Sequence, residues 1–408
     1  MALIALDEAR GFVIGACATL EPTSMAIDAA LGCVLAAPVD SDVAVPPFAN
    51  TAMDGYAVRA IDTANVPVEL PVVATLAAGA SPVGMFVGAR QAIRIMTGAP
   101  MPDGADAIVA VENTERSAPD GDVVRLLQPA RSGDSVRPAG EDIAVGQRVF
   151  DIGTELRAGH LGVLASIGLN TVTVYRRLRV GVLSTGDELV EGGTPLGPGQ
   201  IYDSNRHTLL ALVTRAGCEA VDLGLARDDE RVIEGAIRDG LSTCDALVTS
   251  GGVSMGDFDW VKVVLNRLGG DAMRWMQIAI KPAKPLAFGV VMGKPVFGLP
   301  GNPVSSMVSF ELFARPALRK MAGHGPDEWN RPTVLGIADE ALRRSPDAKV
   351  HFVRVRAAFG ADGRVHVRSS GGQASNLLRS MAHADAHAVL PDGPGVGPGD
   401  DVEVMLLD

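Results

Sequence analysis

The sequence predicts a multidomain protein of the α/β plus β class: a central doubly wound parallel α/β domain, a β-rich region before it and a small antiparallel barrel or sandwich after it. Three patterns lead there. Between about Arg179 and Gly325 strand-like runs, glycine turns and helices of 10 to 15 residues alternate, as in "RVGVLSTGDEL", "SNRHTLLALVTRAG", "EAVDLGLARDD" and "ERVIEGAIRDGL", the order expected of a parallel sheet covered on both faces. From Val39 to about Phe150 short Val-rich segments are separated by Gly and Pro, as in "VELPVVATLAAG" and "GDVVRLLQPA", which reads as strands and turns. After Pro326 the chain alternates in "VHFVRVRAAF", "RVHVRSS", "AHAVLP" and "DDVEVMLL", the period of half-buried strands.

Taken in order, residues 1 to 37 read as two helices broken at Pro22, the second carried by the helical spacing of Ala and Leu in "IDAALGCVLAA". Asp7, Glu8 and Arg10 interrupt the apolar start, so the first is expected to be a surface amphipathic helix and not a signal peptide. "TELRAGHLGVLASIGL" returns to helix, and "TVTVYRRLRVGVLST" leads by strand into the α/β region. There the strand "DALVTSGG" precedes the helix "DWVKVVLNRLGG", and "PVFGLPGNP" precedes the helix "VSSMVSFELFARPALRKMAG".

With 408 residues, 47% of them hydrophobic, the chain has enough apolar side chains for more than one core. Its net charge of -12 disfavours general adhesion to nucleic acid or anionic lipid. Cys17, Cys33, Cys218 and Cys244 form no C-x-x-C pair, which argues against a zinc knuckle or disulfide framework and for a cytoplasmic protein. No run of about 20 uncharged apolar residues is present to span a bilayer.

The chemistry is expected where the α/β strands end, because ligands of open α/β sheets sit at the carboxyl ends of the strands. Those ends read Ser184-Thr185-Gly186-Asp187-Glu188, Arg227-Asp228-Asp229, Ser250-Gly251-Gly252 and Pro300-Gly301-Asn302-Pro303. In "VTSGGVSMGDFDW" paired glycines let a backbone approach a ligand, while Asp257 and Asp259 would repel an anion unless a metal ion lay between. "GLPGNPVSS" opens a helix with Pro303 at its first position and Ser305 and Ser306 in its first turn, a place that favours phosphate or oxyanion. Lys281 and Lys284 in "IKPAKPLAFG" each precede a proline that extends the backbone, forming a cationic rail. Upstream, Asp54, Thr97, Glu141 and Asp142 sit in turns, where such side chains commonly bond their own backbone. His383 and His387 in "HADAH" have the spacing of metal ligands on a helix but lack the adjoining Glu of H-E-x-x-H.

"NTAMDGYAV", "RIMTGAP", "GEDI", "STGDEL", "IYDSN", "SGGVSMGDFDW", "KPAKP" and "GLPGNPVSS" occur in one order, and in that order the chain resembles the molybdopterin molybdenumtransferases, the bacterial MoeA proteins and the E domain of gephyrin. The resemblance runs from about residue 5 to the C-terminus and is looser over the last 80 residues. It implies an elongated homodimer with four units: an α/β molybdopterin-binding domain like that of the molybdopterin adenylyltransferases (1–25 and 174–325), an elongated linking domain (26–45 and 143–173), a β-rich domain on this helical stalk (46–142) and a C-terminal β-barrel (326–408). It implies a reaction in which adenylylated molybdopterin and molybdate give molybdenum cofactor and AMP, with magnesium. By the same resemblance, Asp54, Thr97, Asp142, Glu188 and Asp259 are catalytic, and Glu188, Asp228 and Asp259 are near the metal. Ser184, Thr185, Asp187, Asp228, Ser250, Gly251, Gly252, Ser254, Lys281, Lys284, Pro300, Gly301, Asn302, Pro303, Ser305, Arg354 and Ser375 bind substrate. The β-rich domain's share of the site comes from the partner subunit, with transient contact to the adenylyltransferase and to apo-molybdoenzymes.

Two departures stand out: Ala283 replaces the middle glycine of K-P-G-K-P, and Trp260 stands where the family more often has Tyr or His. The competing readings are an adenylyltransferase, which would have no use for "NTAMDGYAV" and "GEDI", a tungsten-inserting paralogue, and a scaffold or carrier that keeps the fold without catalysis.

Overall fold

The computed structural model describes residues 3–116, 122–251 and 260–407. The first helix, Leu6–Gly15, buries Ala9 and Val13. The second expected helix is absent: the stretch holds strands Thr23–Ala26 and Val34–Leu35 around a three-residue 3-10 turn, Ile27–Ala29. Both strands pair with Thr171–Tyr175. Helical spacing of Ala and Leu is overridden by this pairing and by the left-handed Gly32, φ +75°, which stops a helix. The helix Ala158–Ser166 packs with these strands around Ala30, Leu35, Leu156, Leu164 and Val174. The linking region is therefore short strands around one α-helix.

The β-rich region is a six-stranded sheet in the order 107–110, 55–58, 92–95, 68–76, 123–126, 114–116. Its two faces bury separate cores, one around Tyr56, Leu70 and Val124, the other around Ile93, Ile95 and Leu76.

The α/β domain has the expected three layers. Strands Glu219–Ala226, Arg179–Thr185, Ala246–Ser250 and Lys294–Leu299 lie side by side and parallel. The sheet then continues antiparallel through Pro285–Val291 and Arg274–Gln277, so its far edge is mixed and not parallel throughout. The helices Leu6–Gly15, Asn205–Arg215 and Pro303–Ser309 share one core with the sheet, while Glu230–Thr243 and Trp260–Gly269 share another. Asp229 caps the 230–243 helix, accepting from the amides of Arg231 and Val232, which separates it from its neighbour Asp228. The 303–309 helix runs on through a π turn, Phe310–Ala314, into Arg315–Met321.

The C-terminal strands close into a ring: Val350–Phe359, Val365–Ser369, Thr333–Ala338, Asp401–Leu406 and Ala386–Leu390, which pairs back to the first. One pair, 333–338 with 365–369, is parallel. Val355, Val367, Ala388 and Val404 fill the barrel, whereas Phe352, Met405 and Leu407 on the outer face join the α/β core. His383 follows a short helix and His387 lies on a strand, so the two share no helical face. No helix among the described residues is long and apolar enough to cross a membrane.

Candidate functional site

At the strand ends of the α/β sheet, a few side chains hold several loops together. Asn205 donates from Nδ2 to Ser250 Oγ and to the carbonyl of Gly301, both at 2.7 Å, tying the end of one strand to the loop after another. Ser184 donates to Asp203 at 3.1 Å. Gly251 adopts φ +90°, and a Cβ there would lie 2.9 Å from the carbonyl oxygen of Thr185, so these two strand ends approach closely only because position 251 has no side chain. Asp187 and Asp228 exchange amide-to-carboxylate hydrogen bonds of 3.4 and 3.2 Å. Each keeps its other carboxylate oxygen outside that exchange, and the carboxylate of the neighbouring Glu188 is exposed. Oxygen donors of this type suit a hard divalent cation. Among the described residues no three His, Cys, Asp or Glu side chains group as metal ligands. Gly252, Ser254, Asp257 and Asp259 lie outside the described residues.

The loop Pro300–Pro303 leads from the strand ends to a cleft of about 1030 Å³ between the α/β domain and the barrel, which includes Lys281, Lys284, Ser305, Arg343, Lys349, His351 and Ser375 in its walls. Asn302 accepts the first helical hydrogen bond, from Ser306 at 2.9 Å, and the amide of Val304 donates to the carbonyl of Ser375 at 3.1 Å. The helix start is thus fastened to the barrel's loop. Lys281 and Lys284 are both exposed, and no carboxylate pairs with them among the described residues, unlike Lys349, which bonds Asp347 at 3.0 Å. Burial pushes the pKa of Asp347 up, but hydrogen bonds from Lys349 and His351 outweigh it and hold the carboxyl at about 2. The rim acid is therefore neutralised by its own neighbours, leaving the free lysines to set the sign of the cleft.

Between these lysines, Ala283 adopts φ +75° and is buried. The departure from glycine falls on the one conformation where Ala is penalised.

Arg354 does not line the cleft. It is fully buried beneath residues 370–375, donating from Nη2 to the carbonyls of Gly372 and Ala374 at 2.6 and 3.1 Å. Its own backbone exchanges hydrogen bonds with the side chain of Gln373. Burial lowers its pKa, and among the described residues no carboxylate pairs with it. Nε and Nη1 have no partner there, so a positive charge is held under the floor of the cleft.

In the β-rich domain Asp54 and Thr97 meet. The amide and hydroxyl of Thr97 both donate to Asp54 Oδ1 at 2.7 Å, and these two bonds lower the carboxyl's pKa. Asp142 is exposed and its amide donates to Val45 at 3.0 Å. Among the described residues no hydrogen bond or ion pair joins these three to the α/β domain or barrel.

The sequence reading did not single out Asn205, Gln373, Arg343, Lys349 or His351. Asn205 closes the motif "IYDSN", and Lys349 and His351 stand two apart in "KVH", a strand spacing that sends both to one side.

Three family models match the chain: the MoeA N-terminal region, domains I and II, over residues 4–168, a probable molybdopterin binding domain over 181–320, and the MoeA C-terminal region, domain IV, over 340–407. A molybdopterin molybdenumtransferase of Haemophilus influenzae is 36% identical over 98% of both chains. The chain belongs to the molybdopterin molybdenumtransferase family. A second such relative, molybdopterin molybdenumtransferase 2 of Mycobacterium tuberculosis, is 40% identical over 91% of both chains. Among solved structures, the molybdopterin biosynthesis MoeA protein of Pyrococcus horikoshii superposes with a TM-score of 0.79 at 31% identity, covering 100% of both chains. The order of domains, the α/β layer and the barrel are thus those of this molybdenumtransferase family.

Proposed function

We propose that the protein inserts molybdate into adenylylated molybdopterin, giving molybdenum cofactor and AMP. The observation that carries this reading is the cleft: two unpaired lysines on its wall and a buried arginine beneath its floor, reached from the strand ends through the loop 300–303. An oxyanion there gains the counter-charge that Arg354 otherwise lacks. The strand-end residues Ser184, Thr185, Asp187, Ser250, Gly251 and Asn302, with Gly252 and Ser254, hold the pterin and phosphate part of the substrate, and Lys281, Lys284, Ser305 and Ser375 hold the oxyanion. Glu188 and Asp228, with Asp259, hold magnesium; when bound it neutralises phosphate charge during cleavage of the anhydride.

Asp54, Thr97 and Asp142 complete the site from the partner subunit of a homodimer. Exposed Leu31, Val43, Phe48, Val145 and Ile152 on and beside the linking region are the kind of apolar surface a second copy would cover. The division into units 1–25 with 174–325, 26–45 with 143–173, 46–142 and 326–408 follows from the same reading, as do a cytoplasmic location and transient contact with an adenylyltransferase and apo-molybdoenzymes.

The test is incubation of the purified protein with adenylylated molybdopterin, magnesium and a series of molybdate concentrations, reading AMP release and reconstitution of an apo-molybdoenzyme. Molybdate-dependent release with reconstitution is expected, and tungstate then enters as competitor. Substrate binding with no AMP at any oxyanion concentration would make the protein a carrier or scaffold.

A further inference from the structure

The barrel carries a second buried group with no partner. His387 is fully buried, and neither Nδ1 nor Nε2 has a hydrogen-bond partner among the described residues. It stands directly opposite Arg354 in the antiparallel pair of 350–359 with 386–390, so the two side chains leave the sheet on the same face, about 5 Å apart at Cβ. That face is the outer one, closed off by the α/β domain. Phe352 meets the imidazole edge-on, with ring centroids 6.3 Å apart, on the side away from solvent.

Two guanidinium nitrogens and two imidazole nitrogens, all buried and all unpaired, therefore share one surface of the sheet. Their chemistry is complementary only in one protonation state: a neutral ring has one bare nitrogen that accepts, whereas an imidazolium would present donors alone to a cation. Burial, then the charge of Arg354, depresses the His387 pKa to about 3, which keeps the ring neutral. Buried donors and acceptors this close are normally satisfied by each other or by one ordered water.

We propose that His387 is a positioning residue: its neutral ring accepts a hydrogen bond from one bridging water that in turn accepts from Nε or Nη1 of Arg354, and so fixes the guanidinium that holds residues 370–375 at the cleft. The guanidinium has three independent anchors in this arrangement, the carbonyls of Gly372 and Ala374 and the imidazole. Without the third it can rotate about its terminal torsions, loosening the segment that carries Ser375. The effect on oxyanion binding rests on the function proposed above; the effect on the 370–375 segment does not.

Three proteins test this: wild type, His387→Leu and His387→Gln, the last keeping an acceptor. Amide hydrogen exchange is followed across 370–377 and, as a control, across the 386–390 strand, and sodium molybdate binding is measured by calorimetry. The leucine variant is expected to exchange about 10-fold faster over 370–377 and to bind molybdate about 10-fold more weakly, with the glutamine variant restored towards wild type on both. Unchanged exchange over 370–377 in the leucine variant, or equal loss in both variants, overturns the proposal. If wild type binds no molybdate, the functional reading fails while the exchange comparison still decides the role of His387. Should the leucine variant not fold, imidazole ¹⁵N shifts of wild type decide it: a neutral ring with one accepting nitrogen at neutral pH supports the proposal, and an imidazolium overturns it.

Discussion

The cleft beside the barrel and the Asp54–Thr97 pair differ in what they lack. The cleft has cations in excess: Asp347 is paired with Lys349, whereas Lys281 and Lys284 face solvent and Arg354 lies beneath with two nitrogens unpaired among the described residues. The Asp54 corner has an exposed acid whose donors among the described residues come from Thr97. The first carries unpaired positive charge beside and beneath a cleft. The second is rigid and unfinished, with Asp54 held in one orientation towards solvent.

The sharpest way to break this contrast is Arg354→Met, which keeps bulk and removes the charge. Molybdate affinity is expected to fall about 100-fold by calorimetry, because the variant loses both the buried positive charge behind residues 370–375 and the two bonds that hold that segment at the cleft. Folding stability is expected to fall by about 1–3 kcal/mol, because the carbonyls of Gly372 and Ala374 lose their donor. An unchanged affinity would make Arg354 only a pin for residues 370–375. Next, Asp54→Ala and Lys284→Ala are each expected to abolish most AMP release, and mixing the two variants through subunit exchange to restore roughly a quarter of wild-type activity, the statistical yield of mixed dimers with one intact site. No recovery on mixing would place both residues in the same subunit's site. Lys284→Ala alone is expected to weaken oxyanion binding about 10-fold with an unchanged melting temperature.

Smaller effects sharpen the cleft's geometry. Ala283→Gly removes a left-handed penalty of about 1–2 kcal/mol and sacrifices a buried methyl worth about 0.8 kcal/mol. A net stabilisation below about 1 kcal/mol is expected in urea unfolding, and a loss would show that the methyl's packing dominates. Last, His366 on the barrel bonds Asp339 at 2.6 Å and Asp362 at 3.2 Å, and these bonds raise its pKa. A raised folded-state pKa contributes stability that is complete below the ordinary imidazole range and is lost as pH rises through the folded value. Comparing wild type with His366→Phe at about pH 6 and at a higher pH should show a larger difference in the unfolding midpoint at the lower pH.

The α/β alternation was legible because each strand there is bounded by glycine turns and each helix by polar ends, and the parallel core followed. The 26–37 segment misled because Ala and Leu in "IDAALGCVLAA" carry helical propensity, while the pairing partner at Thr171–Tyr175 lies far along the chain. Arg354 misled differently. The resemblance puts Arg354 of "VHFVRVR" among the substrate-binding cations, but the outer face of this barrel is covered by the α/β domain, so its side chain lies buried behind the cleft wall. Lys281 and Lys284 are exposed as the cationic pair suggests, but the backbone between them is not extended throughout, since Ala283 turns left-handed. The meeting of Asp54 with Thr97 had no local signal, being a contact across 43 positions.

The short strand Ile280–Lys281 pairs with Val350 and His351 of the barrel, and only a few residues later the same chain enters the α/β sheet at Pro285. One lysine is stitched to the barrel and the other stands just before the sheet strand Pro285–Val291. A ligand gripping both works as a bolt through a seam: prising the barrel away would require releasing it. By mass action, oxyanion at about 100 times its Kd would resist that opening by about 2.7 kcal/mol. Occupancy of the cleft would then be readable from outside it, as protection of the seam against protease.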